Sequence, residues 1–214
     1  MSATNLVWHA STVTREQREA ANGHRAAVVW FTGLPSSGKS TTAHAVEERL
    51  FRAGHQVCVL DGDNIRHGLS ADLGFGAADR VEHLRRIGEL AKLMHGSGMI
   101  VFCAFVSPTR ASRAEVRRLI PAGRFFEVFC SCSPEICEQR DPKGHYARAR
   151  AGQLAAYTGV SAPYEEPQQP ELVLDTATLA VDACAMRVIE FLGQRGITGH
   201  PPGARAIAGI GAPA

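Results

Sequence analysis

Residues 33 to 40 read Gly33-Leu34-Pro35-Ser36-Ser37-Gly38-Lys39-Ser40, the pattern GxxxxGK[ST]. Gly33 and Gly38 let the backbone curl so that successive N–H groups point at one anion, at the positive end of a helix. Lys39 can reach the β- and γ-phosphates of a nucleoside triphosphate, and Ser40 can offer its hydroxyl to Mg²⁺. Moving a phosphoryl group also takes a carboxylate, to hold the metal or orient the acceptor hydroxyl, and cations to spread charge. Asp61 and Asp63 suit the first task, the plainer alternative being that Asp63 caps a helix after an Asp-Gly turn. Arg66, Arg80 and Arg110 suit the second, each by a fork of hydrogen bonds to an anionic acceptor. Phe75, inside Leu73-Gly74-Phe75-Gly76, can stack on a flat ligand or anchor its loop in the core.

These groups need a frame. Before the loop, Ala26-Ala27-Val28-Val29-Trp30-Phe31 is a short apolar run rich in β-formers, as a buried strand is. After it, residues 41–51 set Ala43, Val46, Leu50 and Phe51 near one helical face, and Gly54 ends the helix. Gln56 to Leu60 reads as a strand. A helix is expected over Asp79 to Gly96, capped by Asp79, with Leu84, Ile87, Leu90, Ala91 and Met94 as its apolar stripe. Met99 to Val106 is unbroken apolar sequence, the mark of a central strand covered on both faces. Thr109 to Leu119 reads as a short basic helix, Arg124 to Cys130 and Leu172 to Leu174 as strands, and Leu179 to Leu192 as a final helix.

That alternation predicts an α/β fold of the P-loop NTPase type, a parallel sheet with helices on both faces. Ligands of such sheets bind beyond the carboxyl ends of the strands, which gathers residues 33–40, 61–66 and 107–110 at one edge. From Cys137 to Pro170 the rhythm breaks. Arg140, Lys143, Arg148 and Arg150 face few acids before Glu165, with Gly144, Gly152 and Gly159 as pivots. A long basic insert facing a phosphate site predicts a lid over about residues 138–170, against the plainer reading of a solvated helix. The expected organisation is an arm (1–24), one P-loop domain (25–198) and a disordered Gly, Ala and Pro-rich tail (199–214).

The chain has 214 residues and a net charge of +2, so no global field points to nucleic acid or an anionic membrane. No apolar run approaches the roughly 20 residues that span a bilayer, and the N-terminus lacks a basic-plus-apolar leader. A cytoplasmic protein is expected. Cys58, Cys103 and Cys130 lie in apolar runs, and Cys130, Cys132 and Cys137 lack paired metal-ligand spacing, so neither a metal site nor a structural disulfide is expected from the six cysteines.

Several further stretches carry a resemblance. They are Leu60-Asp61-Gly62-Asp63-Asn64-Ile65-Arg66-His67-Gly68-Leu69, Asp72-Leu73-Gly74-Phe75, Asp79-Arg80, and Phe105-Val106-Ser107-Pro108-Thr109-Arg110. They continue with Arg140-Asp141-Pro142-Lys143-Gly144-His145-Tyr146, Ala149-Arg150-Ala151-Gly152, Tyr157-Thr158-Gly159-Val160 and Tyr164-Glu165. Near the start come Val7-Trp8-His9, Val13-Thr14 and Gly23-His24-Arg25. In this order they resemble the adenylyl-sulfate kinase (APS kinase) family of P-loop kinases, from about residue 5 to 197.

The resemblance implies transfer of the γ-phosphate of MgATP to the 3′-hydroxyl of adenosine 5′-phosphosulfate (APS), giving PAPS and ADP. It implies that 33–40 bind ATP phosphates, with Arg140 against the ATP adenine. Asp63, Asn64, Ile65 and Arg66 would line the APS pocket, with Arg80 on the phosphosulfate and Phe75 and Tyr157 sandwiching the adenine. Val106 and Ser107 would contact APS by main chain or hydroxyl, His83 would stand at the family's APS-contacting Asn position, and Lys143 would act from the lid. Asp63 would orient or deprotonate the 3′-hydroxyl and, with Ser40, hold Mg²⁺. Ser107 is the family's nominal phosphoserine site, yet in-line transfer needs positioning and neutralisation rather than a covalent relay, so a binding role is expected. Family members are often dimers, and Trp8-His9 can pack on a partner.

The chain departs from the family in four places. His83 stands where Asn is usual, adding bulk and a charge near pH 6 to 7. Tyr157 replaces Phe, Ala147-Arg148 replaces two lysines, and Pro35-Ser36 replaces Ser-Gly. The rival readings are another small P-loop kinase, acting on a nucleotide, gluconate or shikimate, and a nucleotide-binding module without turnover.

Overall fold

The computed structural model describes Val7 and residues 9–199. Trp8 and the tail beyond Gly199 lie outside the described residues, and with them the expectations of partner packing and tail disorder.

The chain enters through α1 (Arg15–Asn22), a helix the apolar pattern does not announce because none of its residues is buried. Its signal is polar: Thr14 and Gln17 form a capping box, each side chain bonded to the other's backbone. β1 (Ala27–Thr32) follows, buried at every position. Then come α2 (Lys39–Arg52), β2 (Val57–Asp61), the short α3 (Gly62–Arg66) and the long α4 (Ala77–Gly96). β3 (Ile100–Ala104), α5 (Arg110–Arg118) and β4 (Phe125–Ser131) complete the central part. The insert holds α6 (Pro134–Arg140) and α7 (His145–Arg150), after which β5 (Leu172–Asp175) and α8 (Val181–Gln194) close the domain.

The strands form one parallel sheet in the order β2-β3-β1-β4-β5. β1 shows why its sequence has no polar alternation. Ala27, Val29 and Phe31 pack into one core with Val46, Leu50, Val188 and Leu192 of α2 and α8. Val28 and Trp30 pack into the other, with Leu84, Ile87 and Val116 of α4 and α5. Both pleat faces are covered, so both must be apolar.

Three local expectations change. Phe51 is 71% exposed, because it lies one residue, about 100°, off the row through Ala43, Val46 and Leu50. Asp79 does not cap α4; Gly76 does, and the Asp79 carboxylate turns back to accept from the Gly74 amide at 3.1 Å. Met99 to Val106 shortens to five residues of strand, and the chain leaves the sheet at Phe105 to build the cavity wall. No helix among the described residues is long and apolar enough to cross a membrane.

One buried ion pair ties α5 to the sheet. Arg113, 3% exposed, donates from Nε to Glu127 Oε1 at 2.6 Å. Breaking such a pair strands the other charge, at a cost of roughly 3–5 kcal/mol. Arg117, 3.5 Å from Glu127, offsets part of that. Urea denaturation should therefore show Arg113→Met less stable by about 3 kcal/mol, with the added change Glu127→Leu recovering much of the loss. An unchanged midpoint for the single variant would show that water reaches the pair.

Candidate active site

The carboxyl ends of β1, β2 and β3 open into a cavity of about 380 Å³, closed on its far side by the insert. Its floor is formed by Pro35, Ser36 and Gly38 to Ser40 of the 33–40 loop. At Gly33, φ +152°, an added Cβ would sit 2.7 Å from the Cys130 carbonyl oxygen, so only glycine lets the loop lie this close to β4. Gly38, φ +87°, is the N-cap of α2. Ser36 holds φ +63° without being glycine, a strain of roughly 1–2 kcal/mol at the point where the loop departs from Ser-Gly. Lys39 is 7% exposed and donates to the carbonyls of Gly33 at 3.0 Å and Leu34 at 2.6 Å. Burial pushes its pKa down to about 8. Ser40, exposed in the first turn of α2, lines the cavity with Pro35, Ser36 and Gly38.

Asp61, not Asp63, caps the helix that follows β2: its Oδ1 accepts from the Asp63 amide at 2.9 Å. That overturns the capping reading of Asp63 and leaves its carboxylate turned into the cavity, where Lys143 of the insert is paired with it. Arg66 donates to the Gly74 carbonyl at 2.9 Å and lays its guanidinium 4.3 Å from the centre of the Phe75 ring. Phe75 is 63% exposed, so it anchors no core. Across the cavity stands Tyr157, braced edge-on by Tyr146 at 5.2 Å. Arg80 joins the two walls, donating to the Phe75 carbonyl at 2.8 Å, to Thr158 Oγ1 at 2.6 Å and to the Ala156 carbonyl.

His83 also lines the cavity, at 5% exposure, edge-on to Phe105. Burial, with Arg66 and Arg86 nearby, pushes its pKa down to about 4, so the charge expected near pH 6 to 7 is absent. Its Nδ1 is buried without a partner, which favours the tautomer carrying the proton on Nε2. Ser107 has φ +41° and is 2% exposed. Its hydroxyl accepts from Trp30 Nε1 at 3.0 Å and donates to Thr32 Oγ1 at 3.0 Å, while its carbonyl accepts from Arg113 at 2.6 Å. The Val106 carbonyl accepts from the Thr32 hydroxyl at 2.9 Å. No described residue accepts from the amides of Val106 or Ser107, which keeps two donors for a ligand.

Other expected site residues lie apart from this cavity. Ile65 packs against the α4 core and Asn64 is exposed on α3. Gly33 and Ser37 are buried under the loop, and Leu34 packs with Cys137 and Tyr146 beneath the insert. Arg140 sits outside the cavity, donating to the Thr176 carbonyl at 2.7 Å. Arg110 lies outside the cavity lining: its amide donates to Glu165 Oε2 at 2.8 Å and its Nε to the Glu166 carbonyl at 2.7 Å. Sequence reasoning passed over Thr158, Asp141 and His145 of the lining. Thr158 adjoins Tyr157, and Asp141 serves as a local cap for the His145 amide at 2.8 Å.

A phosphate loop facing a carboxylate and two aromatic walls fits several kinases, and comparison with known proteins narrows them. The family model for adenylylsulphate kinase matches residues 25–175. The chain belongs to the adenylylsulphate kinase family. Among its relatives, the adenylyl-sulfate kinase of Acaryochloris marina is 53% identical over 197 residues, covering 92% of this chain and 96% of that one. The solved Mycobacterium tuberculosis APS kinase, in complex with AMPPNP and APS, is 45% identical with a TM-score of 0.75, covering 79% of this chain and 99% of that one. A hexameric APS kinase from Thiobacillus denitrificans is 32% identical with a TM-score of 0.62, over 82% of this chain and 30% of that one.

In this adenylylsulphate kinase site the lysine carries a measurable signature. An anion in the loop stabilises protonated Lys39 and raises its pKa above about 8. Above that pH, binding must therefore take up a proton. Titration calorimetry with a non-hydrolysable triphosphate should show affinity falling up to about tenfold per pH unit above pH 8, with a heat that tracks the buffer's ionisation enthalpy. Constant affinity to pH 9.5 would mean that Lys39 titrates at about the ordinary lysine pKa.

Proposed function

We infer that the protein transfers the γ-phosphoryl group of ATP to the 3′-hydroxyl of adenosine 5′-phosphosulfate, releasing PAPS and ADP. The observation that carries this reading is the single cavity shared by Lys39, Asp63, Phe75 and Tyr157. Loop amides and the start of α2 would hold the donor phosphates, and Arg140, behind the loop at Thr176, would lie against the donor adenine. Phe75 and Tyr157 would take the acceptor adenine between them, an offset-stacking use of two rings. Arg66, Arg80, the Nε2–H of His83 and the amides of Val106 and Ser107 would meet its anionic groups. Asn64 and Ile65 would contribute through the α3 main chain alone.

The residues at this edge fit Mg²⁺, a hard cation that takes oxygen ligands. Ser40 offers an exposed hydroxyl, and Asp61 engages only Oδ1 with the Asp63 amide. Ser40 and Asp63, with Asp61 beside them, would hold the ion, which supplies neutralisation of charge on the transferring group. Asp63 would orient the 3′-hydroxyl and accept its proton. Lys143, already on Asp63, would pass to the phosphoryl oxygens as the donor enters. Ser107 has its hydroxyl proton directed at Thr32 and no carboxylate among its hydrogen-bond partners, which favours direct in-line transfer. All six cysteines are free thiols, in keeping with a reducing, cytoplasmic compartment. For assembly we keep the homodimer as the reading to test by sedimentation, a single-chain mass being the result against it.

The deciding assay follows ADP release from MgATP with and without micromolar APS. Stimulation by APS is expected, and its absence would sink the reading. Asp63→Asn should lower kcat about 10²–10⁴-fold, the range of a lost general base. Phe75→Ala should raise the KM for APS about tenfold with little change in kcat, since stacking binds ground and transition states alike. A pure kcat defect would count against the adenine sandwich.

A further inference from the structure

A chain of hydroxyls joins the insert to the wall that carries Val106 and Ser107. Thr32 Oγ1 donates to the Val106 carbonyl at 2.9 Å, so its proton is committed there. Its lone pairs then receive two donors, the Tyr164 hydroxyl at 2.9 Å and the Ser107 hydroxyl at 3.0 Å, the latter nearer to Thr32 than to its other acceptor, the Phe105 carbonyl at 3.3 Å. Burial pushes the Tyr164 phenol pKa up, which keeps it a donor. Tyr164 belongs to the returning limb of the insert, and that limb is docked independently. The Glu165 amide donates to the Pro108 carbonyl at 2.8 Å, and Arg113 donates to the Glu165 carbonyl at 2.7 Å. The Tyr164 ring itself stacks on Phe129 at 6.2 Å.

We propose that Tyr164 is a positioning residue for the acceptor nucleotide, acting through Thr32 on the Val106 carbonyl and the Ser107 hydroxyl. It rests on the reading above, in which the Val106 and Ser107 amides face that nucleotide. The Thr32 hydroxyl has one proton and two incoming donors, so each donor limits where it can point. Without the Tyr164 hydroxyl, Thr32 is free to turn, and the left-handed Ser107 turn, φ +41°, loses one of the bonds that define it. The ring and the limb stay in place, so the effect falls on the acceptor site rather than on folding.

The test compares Tyr164→Phe, Thr32→Val and Thr32→Ser in steady-state kinetics. Tyr164→Phe and Thr32→Val should each raise the KM for APS about fivefold to tenfold, the effect of one lost hydrogen bond. The KM for ATP should stay within about twofold and Tm within about 3 °C. Thr32→Ser, which keeps the hydroxyl, should restore the KM for APS. The double variant Tyr164→Phe/Thr32→Val should be no worse than Thr32→Val alone, because that change already breaks the link through Tyr164. An unchanged KM for APS in Tyr164→Phe overturns the proposal. So does a parallel rise in both KM values with a lower Tm, which marks a merely structural tyrosine. If Phe75→Ala raises the KM for APS while Tyr164→Phe does not, this inference alone fails; if APS stimulates no ADP release, the proposed function fails first.

Discussion

The parallel ladders on either side of β1 fix where Thr32 stands, and both halves of the cavity hang from that residue. Its main chain feeds the Gly33 turn, which passes so close to Cys130 that no Cβ fits. Its side chain reaches the other way, to the Val106 carbonyl and the Ser107 hydroxyl. Register makes this work: Phe31 pairs with Ala104 on one side and Thr32 with Phe129 on the other. A slip of one residue would exchange the faces of β1 and point Thr32 into a core. With every β1 side chain buried, that slip is costly, so the apolar pattern of the strand also protects the geometry of the site.

Polar groups at the cavity are held by partners that a substrate would replace or use. The Lys39 ammonium donates to loop carbonyls, and burial lowers its pKa. A pre-aimed but electrostatically unsatisfied cation gains most from an arriving phosphate, since the protein has already met the cost of desolvating it. Ser107 is the opposite case. Its hydroxyl is fully directed within the protein, so it shapes the wall, and the Val106 and Ser107 amides are the donors left open there.

The glycine loop, the strands and the acidic turn after β2 were legible in the sequence because each rests on local chemistry: backbone freedom, two-sided burial, an Asp-Gly turn. What sequence could not resolve were choices between like residues. Asp61 and Asp63 are two apart, and only the start of α3 decides that the first caps and the second faces the cavity. Arg66, Arg80 and Arg110 read alike, yet Arg110 braces the returning limb because Glu165 lies beside it, 55 residues later in the chain. The neutrality of His83 likewise depends on burial and on Arg66, which its neighbours in sequence do not reveal, and only in part on Arg86, three residues on in the same helix. The Arg113–Glu127 pair has no local signature either, since it joins a helix face to a strand. The residues given by family resemblance fare unevenly for a related reason: Asn64, Ile65 and Arg140 hold matching positions, but their side chains lie outside the cavity lining.

The insert is rooted unequally, and this limits how it can move. At its end, residues 164–166 are bonded to the 107–113 segment by backbone, by Arg110 and by buried Arg113. At its start, Ser133 caps α6 and Arg140 grips the Thr176 carbonyl. The middle touches the cavity through the Tyr146 hydroxyl on the Pro35 carbonyl, Lys143 on Asp63, and Arg80 on Thr158 and Ala156. Those contacts land on the phosphate loop, the candidate base and a candidate anion clamp, so a ligand held by these groups would compete with the insert for them. The competition is uneven. Lys143 and Asp63 are 54% and 60% exposed, and a pair so open to water contributes at most about 1 kcal/mol. Arg113 is sealed, and moving it would cost several times as much. Displacement by an entering triphosphate should therefore leave the limb at residues 164–166 in place, held by the sealed Arg113.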